Sequence, residues 1–118
     1  MSVAKLKDLK EIDGFVGACL VDSESGMVYG TEGGGNLDLE VAAAGNTEVV
    51  RAKRKTMAAL DLEDDIEDIL ISLGTQYHII RPVAKHDGVF VYVDLDRDKS
   101  NLALARLKIK KFESEVKI

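Results

Sequence analysis

The chain has 118 residues, of which 46% are hydrophobic, so we expect a single domain (residues 1–118) that buries a core without disulfides or a metal. Its formal net charge of −5 argues against nucleic-acid binding, because an acidic domain repels phosphate backbones. No stretch approaches the ~18 apolar residues of a membrane helix, and the first residues show no secretory signal. We therefore expect a cytoplasmic protein with no nucleic-acid partner and no membrane insertion.

The beginning of the chain predicts a helix followed by a hairpin. Residues 2–12 carry an apolar side chain at every third position, which favours a short amphipathic helix. These apolar positions are Val3, Leu6, Leu9 and Ile12. Residues 15–21 are apolar throughout, which is typical of a strand covered on both faces. A polar turn then leads to a second strand at residues 27–29, so we expect a hairpin.

A long helix is predicted over residues 38–60. It follows a glycine-rich stretch, residues 30–35, which we interpret as a flexible connector. Asp38 is suited to the N-terminus of this helix, because its carboxylate can cap backbone N–H groups and complements the helix dipole.

The second half predicts three strands and a final helix. The strands cover residues 66–73, 77–83 and 89–95, and the helix covers Leu102–Glu115. Pro82 cannot donate to a ladder and should mark a strand end, an edge or a bulge. The order is therefore α-β-β-α-β-β-β-α. Hairpin connections favour a mainly antiparallel sheet, and strands that are apolar on both sides require helices on both faces, so the predicted fold class is mixed α/β (α+β).

Two stretches resemble the Roadblock/dynein light-chain family. In residues 9–28, the run IDGFVGA leads into LVD and then SGMV, which is similar to the family's opening helix, glycine-containing step and first hairpin. In residues 91–107, the run NLALAR resembles the family's last strand feeding its last helix. The middle of the chain matches mainly by pattern. The resemblance thus spans nearly the whole chain, and its motifs are structural.

The resemblance implies a five-stranded antiparallel sheet with one long helix on one face and two terminal helices on the other. It also implies a homodimer, formed by packing the second helices together and pairing the third strands. Members serve as scaffolds and regulators of small Ras-like GTPases, or as light chains on motor complexes, and they carry no catalytic constellation of their own.

The residues themselves also favour a dimer. Residues 42–45 are unusually small for a helix interior and would let two helices approach closely. Residues 66–73 would form a hazardous bare edge unless the strand pairs with its copy. The alternative is that the alanines pack only onto their own sheet. The predicted dimer interface is Ala42, Ala43, Asn46, Val49, Val50, Lys53, Ile69 and Ile71.

A basic tract near the end of the long helix is a second candidate surface. It could contact an acidic partner, or the acidic residues between 63 and 68 in the same chain or across a dimer. The alternative is a solvated helix end. The predicted partner contacts are Arg51, Arg54 and Lys55.

Several motifs suggest chemistry but fit it poorly. The glycines at 33–35 precede a helix, but no Lys-Ser/Thr pair follows, so a phosphate loop is not indicated. Asp94, Asp96 and Asp98 alternate as at the start of a calcium loop, but Lys99 stands where that loop needs glycine. His78 and His86 lack zinc-ligand spacing, and Cys19 lies in an apolar strand where a buried thiol is expected.

We therefore predict a non-catalytic dimeric scaffold or regulator with no catalytic residue, cofactor or metal. Its expected partners are a second copy of itself and a small GTPase. The alternatives are a small-molecule-sensing module, which predicts a cavity of several hundred cubic ångströms, and a purely structural interaction module. An enzyme would require a convergent polar cluster in a cleft, which the sequence does not indicate.

Overall fold

Five antiparallel strands form one sheet in the order β2-β1-β5-β4-β3. The computed structural model describes residues 2–117, with side chains from Leu6 to Lys117. The strands are β1 (Phe15–Asp22), β2 (Val28–Gly33), β3 (Ile69–Ser72), β4 (Gln76–Pro82) and β5 (Val89–Asp96). The best predicted strand, β5, lies at the centre of the sheet, where its side chains are buried from Val89 to Leu95.

Helices cover both faces of the sheet, as the sequence predicts. A 3₁₀ helix (Ser2–Glu11) and α2 (Leu102–Glu115) pack on one face, and the long helix α1 (Leu39–Ala59) packs on the other. A short 3₁₀ turn (Arg97–Lys99) joins β5 to α2. The predicted fold class and element order are therefore confirmed. Within residues 2–117, none of the helices combines the length and the apolar composition needed to cross a membrane.

The N-terminal helix owes its type to the spacing of its apolar residues. A 3₁₀ helix has three residues per turn, so side chains three positions apart point in the same direction. Leu6, Leu9 and Ile12 are accordingly all buried against the sheet and α2. The side chain of Val3, predicted to join them, lies outside the described residues.

Side-chain caps fix where the two α-helices begin. The Asp38 carboxylate accepts hydrogen bonds from the backbone N–H groups of Glu40 and Val41, at 3.1 and 3.2 Å. The Asn101 side chain accepts one from the Leu104 N–H at 3.0 Å. These bonds satisfy donors that no helical carbonyl reaches. The predicted start of α1 is thus confirmed within one residue, and the bounds of α2 are as predicted.

The predictions for two strands need correction. β2 continues through Gly33 and includes four of the six residues of the predicted connector. Gly33 has φ +64°, and a Cβ there would lie 2.7 Å from the Val16 carbonyl oxygen. Gly33 therefore allows two backbones to approach closely, and it is not part of a flexible connector. β3 is shorter than predicted, because residues 66–68 precede the ladder that begins at the Ile69–Ile80 pair.

Candidate interaction surface

The outward side of α1 carries an uncharged row of residues, flanked by the exposed charged residues Glu48 and Lys55. The helix buries Leu39, Ala43, Thr47 and Val50 against the sheet. On the opposite side, helical spacing aligns an exposed row that we call the outer stripe. The outer stripe consists of Val41, Gly45, Ala52 and Ala59. Val41 is 67% exposed, and a Cβ added to Gly45 would meet nothing within 4 Å, so this side of the helix has no neighbour within the described chain.

The flank of α1 that faces β3 forms one wall of a groove. Ala42 and Val49 pack partly against the core, and Val49 and Lys53 line the groove together with Ile69. The groove has a volume of about 590 Å³. Ile69 and Ile71 pair with Ile80 and His78, are half-buried, and lie on the α1 side of the sheet. The groove therefore joins the helix flank to an edge strand of the sheet.

The structure divides the predicted dimer residues into two sets. Ala43 and Val50 are 0% and 1% exposed, because they pack beneath α1 in the chain's own core. These two side chains are therefore not accessible to a second subunit, contrary to the predicted interface. The remaining six are half-buried or exposed on the groove side: Ala42, Asn46, Val49, Lys53, Ile69 and Ile71. Val41 was not among the predicted contacts, although its spacing from Gly45 and Ala52 places all three on the same side of a helix.

The predicted partner contacts lie on the other flank of α1. Arg51 pairs with Glu48 at 3.1 Å and also donates to the backbone carbonyl of Glu24 in the first hairpin. Arg51 is thus engaged within its own chain. Arg54 and Lys55 are exposed and belong to no ion pair formed among residues 6–117.

A buried polar cluster lies on the paired strands β4 and β5, and no sequence pattern predicts it. Asp94, on the central strand β5, is 0% exposed, and its Oδ1 lies 3.5 Å from Nε2 of His78. With its nitrogen turned inward, the Gln76 amide donates to both Asp94 oxygens at 2.9 and 3.0 Å and lies 2.7 Å from His78 Nε2. Burial raises the pKa of Asp94, and His78 counters this effect. We name Gln76, His78 and Asp94 the carboxylate cluster.

Tyr92 packs against the carboxylate cluster without completing it. Its ring meets the His78 ring edge-on, with centroids 5.4 Å apart. Its hydroxyl is buried and has no hydrogen-bond partner within the described residues. Burial raises the pKa of Tyr92, and the Asp94 charge adds to the shift. The hydroxyl is therefore a desolvated group that gains no compensating bond.

Tyr92→Phe should accordingly leave the protein equally stable or up to about 1 kcal/mol more stable, because it removes a buried hydroxyl that makes no bond. Urea unfolding of both proteins measures this difference. A loss of more than about 1 kcal/mol would show that the hydroxyl makes a stabilising interaction.

An ion network attaches the segment before β3 to α2. Arg81 is buried and donates through Nε to Glu113 Oε1 at 2.8 Å, while its Nη1 lies 4.0 Å from Asp68. Arg106 holds the same Asp68 with two hydrogen bonds, at 2.7 and 2.9 Å. That bidentate pair raises the pKa of Arg106. We call these four residues the arginine network. It fixes the start of β3, the strand that borders the groove.

The other residues singled out in the sequence have structural surroundings. Cys19 is fully buried, and burial raises the pKa of its thiol to about 12, which disfavours the reactive thiolate. Asp96 accepts a hydrogen bond from the Asp98 N–H and caps the short 3₁₀ turn. Among the side chains from Leu6 to Lys117, no group of three or more His, Cys, Asp or Glu is placed to hold a metal ion.

Comparisons with known proteins bear on the fold. No protein-family model and no curated protein matches the chain. Solved structures do match. A Roadblock/LC7 domain from Streptomyces avermitilis has 15% identity and a TM-score of 0.80, covering 98% of this chain and 91% of that one. Myxococcus xanthus MglB has 21% identity and a TM-score of 0.84, covering 97% and 89%. A structure described as MglB with a tetrameric arrangement has 14% identity and a TM-score of 0.82, covering 96% and 82%.

These identities are low, but the superpositions extend over nearly the whole chain. They agree with the arrangement found here, in which one long helix and two terminal helices enclose a five-stranded antiparallel sheet. The chain therefore has the Roadblock fold.

Proposed function

We propose that this chain is a non-catalytic protein that self-associates through α1 and β3 and, as a dimer, serves as a scaffold or regulator. Its partner would be a small Ras-like GTPase or a motor complex. The fold supports self-association, because one protein of similar structure is described as MglB with a tetrameric arrangement. The GTPase and motor partners rest on the family resemblance of residues 9–28 and 91–107.

The observation that carries the proposal is the surface formed by α1 and β3. The outer stripe itself lacks charge, and the neighbouring groove is lined by apolar side chains such as Val49 and Ile69 together with Lys53 and the acidic residues at 64, 65, 67 and 68. β3 is an edge strand, so one side of its backbone has no ladder partner among residues 2–117. Unpaired edges of this kind favour pairing with another strand. α1, the groove and β3 adjoin one another, so a single partner can contact all three.

Self-association through such a surface would be isologous. In a two-fold dimer the same patch serves both subunits, so a helix with small outward residues packs on its own copy. Gly45 permits a close approach of two helices, because it has no side chain there. Pairing β3 with its copy would continue the sheet across the dimer and would remove the exposed edge.

The first test is the mass of the wild-type protein in solution. We expect light scattering to give twice the 12.9 kDa chain mass at micromolar concentration. A monomer at the highest soluble concentration would contradict the proposal.

The GTPase part of the proposal is tested by biosensor binding to purified Ras-like GTPases from the same organism, each loaded with GDP or with a GTP analogue. Binding that differs between the two nucleotide states would support regulation.

A small-molecule-sensing role is the second candidate, and the groove favours it. Its volume of about 590 Å³ falls in the range of ligand pockets. Thermal unfolding in the presence of a metabolite library tests this role. A ligand that raises the midpoint in wild type but not in Val49→Lys would place it in the groove.

A further inference from the structure

We propose that α1 binds a second copy of this chain in antiparallel orientation, held by two reciprocal ion pairs between Glu48 of one subunit and Lys55 of the other. This inference rests on the proposed dimer and deepens it, because it names the contacts through which the helix selects its own copy. Glu48 and Lys55 are both exposed and adjoin the outer stripe. Their opposite charges on one surface are the starting point.

The spacing of these two residues places them on the outward side of α1. Together with the outer stripe they form a row at positions 41, 45, 48, 52, 55 and 59, whose steps alternate between four and three residues. Such steps keep side chains on one side of an α-helix and are typical of a helix–helix contact. Glu48 and Lys55 are about 10.5 Å apart along the axis, because each residue adds 1.5 Å. Ala52 lies between them.

Within the chain, neither charge is fully paired. Lys55 belongs to no ion pair formed among residues 6–117. Glu48 pairs with Arg51 through Oε1 at 3.1 Å, and the Glu48 side chain is 72% exposed. An exposed ion pair of this kind contributes little, and a carboxylate can accept from more than one donor. Glu48 can therefore bind a second cation without losing the first.

Two-fold symmetry joins these charges in the antiparallel orientation of the helices. When the axis is perpendicular to the sheet, the two α1 helices run antiparallel, and position 48 of one subunit can lie opposite position 55 of the other. Symmetry then requires the reverse contact, so both ion pairs form together, one on each side of Ala52. In a parallel pair each residue meets its own copy, which places like charges together. The charge pattern therefore favours the antiparallel orientation.

The same axis suits the rest of the proposed interface. An axis perpendicular to the sheet also makes the two β3 strands antiparallel, so α1 and β3 can contact the second subunit at once. In this register Gly45 lies near the end of the partner helix, beside Ala59, so two small residues meet. The helices can then approach closely and exclude water from the ion pairs, which strengthens their attraction.

The remaining charges near this side of α1 lie on its two flanks. Lys53 faces the groove, whose lining also includes the acidic residues at 64, 65, 67 and 68 of the same chain. On the opposite flank, Arg51 and Arg54 line a separate depression next to the first hairpin. A second helix packed on the outer stripe therefore meets Glu48 and Lys55 before any of these groups.

The test is charge reversal, with the dimer dissociation constant measured by sedimentation equilibrium at about 50 mM salt, where charges are weakly screened. Glu48→Lys and Lys55→Glu each turn two attractive contacts into two repulsive ones, so each should raise the dissociation constant at least about 30-fold. The doubly reversed chain restores opposite charges and should return to within about fivefold of wild type. Lys108→Glu makes the same change on the exposed side of α2, across the sheet, and should have no effect.

Mixing the two singly reversed proteins gives an independent readout. The Glu48→Lys chain has lysine at both positions and the Lys55→Glu chain has glutamate at both, so their antiparallel heterodimer contains two attractive pairs. We expect an affinity-tagged Glu48→Lys chain to retain Lys55→Glu but not untagged Glu48→Lys. Raising the salt to about 500 mM should weaken the wild-type dimer and strengthen the association of each variant with itself, because it screens attraction in one and repulsion in the other.

The outcomes separate the ion pairs from the dimer. A wild-type monomer at every concentration overturns the proposed dimer together with its ion pairs. A wild-type dimer whose dissociation constant neither single reversal changes overturns the ion pairs and leaves the dimer intact. Single reversals that weaken the dimer, with no recovery in the doubly reversed chain or no heterodimer on mixing, also overturn them. If circular dichroism shows that a reversed chain is unfolded, Glu48→Gln and Lys55→Gln replace it, and wild-type affinity in both overturns the ion pairs.

Discussion

Arg81→Met is expected to lower the free energy of unfolding by about 3–5 kcal/mol, the range found when one partner of a buried ion pair is removed. Methionine retains the apolar stem of the arginine but leaves Glu113 without its cation. The Arg81 and Glu113 side chains are 9% and 8% exposed, so water cannot replace the lost contact. One remaining donor to Glu113 is the Ala84 N–H at 3.2 Å. The loss would be a large part of the stability of a domain of this size.

Urea unfolding monitored by circular dichroism measures this effect, at one fixed protein concentration because self-association adds to apparent stability. Arg106→Ala is the matched control. It removes an arginine from the same Asp68, but the Arg106 side chain is 45% exposed, so we expect a loss of about 1 kcal/mol or less. Arg81→Met combined with Glu113→Leu should recover most of the stability, because no unpaired charge remains buried. A loss below about 1 kcal/mol for Arg81→Met alone would refute the assigned role.

Gly45→Lys is expected to raise the dimer dissociation constant at least about 100-fold without unfolding the chain. A lysine at the centre of the outer stripe would place a charge in a helix contact, where an unpaired buried charge costs several kcal/mol. The monomer has space for the side chain, since a Cβ at position 45 meets nothing within 4 Å. Lysine also favours a helix over glycine by roughly 0.5–1 kcal/mol. The measurement is light scattering over a dilution series, with the circular dichroism spectrum as the check on folding.

Two control variants isolate the cause of that effect. Gly45→Ala changes helix propensity in the same direction but adds no charge, so it should stabilise the chain against urea and change the dissociation constant less than tenfold. Ala103→Lys introduces the same charge on the exposed side of α2, across the sheet from α1, and should leave the dimer unchanged. If Gly45→Lys and wild type dissociate alike, α1 is not the dimer contact.

The elements were predictable where local chemistry determines them. Asp38 and Asn101 mark the helix starts, because a short polar side chain before an amphipathic run caps free N–H groups. The three-residue spacing of Leu6, Leu9 and Ile12 placed them on one buried side. The apolar strands required helices on both faces of the sheet. These features depend on residues a few positions apart, so the sequence displays them directly.

The candidate surface was predictable only in part. The small residues of α1 and the apolar edge strand were apparent, but which alanine faces the sheet and which faces outward depends on the rotation of the helix. Ala43 and Val50 proved to be core, while Val41 and Gly45 are exposed. Packing against the sheet sets that rotation. Because α1 has small residues on several sides, its sequence does not specify which side packs on the sheet.

The sequence by itself determined the element order, the class of fold and the caps, because these follow from periodicity and local hydrogen bonding. The tertiary structure decided the polar interior. Gln76, His78 and Asp94 meet because two strands pair in one register, and Arg81 meets Glu113 across 32 residues because β4 packs beneath α2. The distance between such groups depends on how separate elements assemble, so the partners of Asp94, which lies near the end of a predicted strand, were decided only by the tertiary structure.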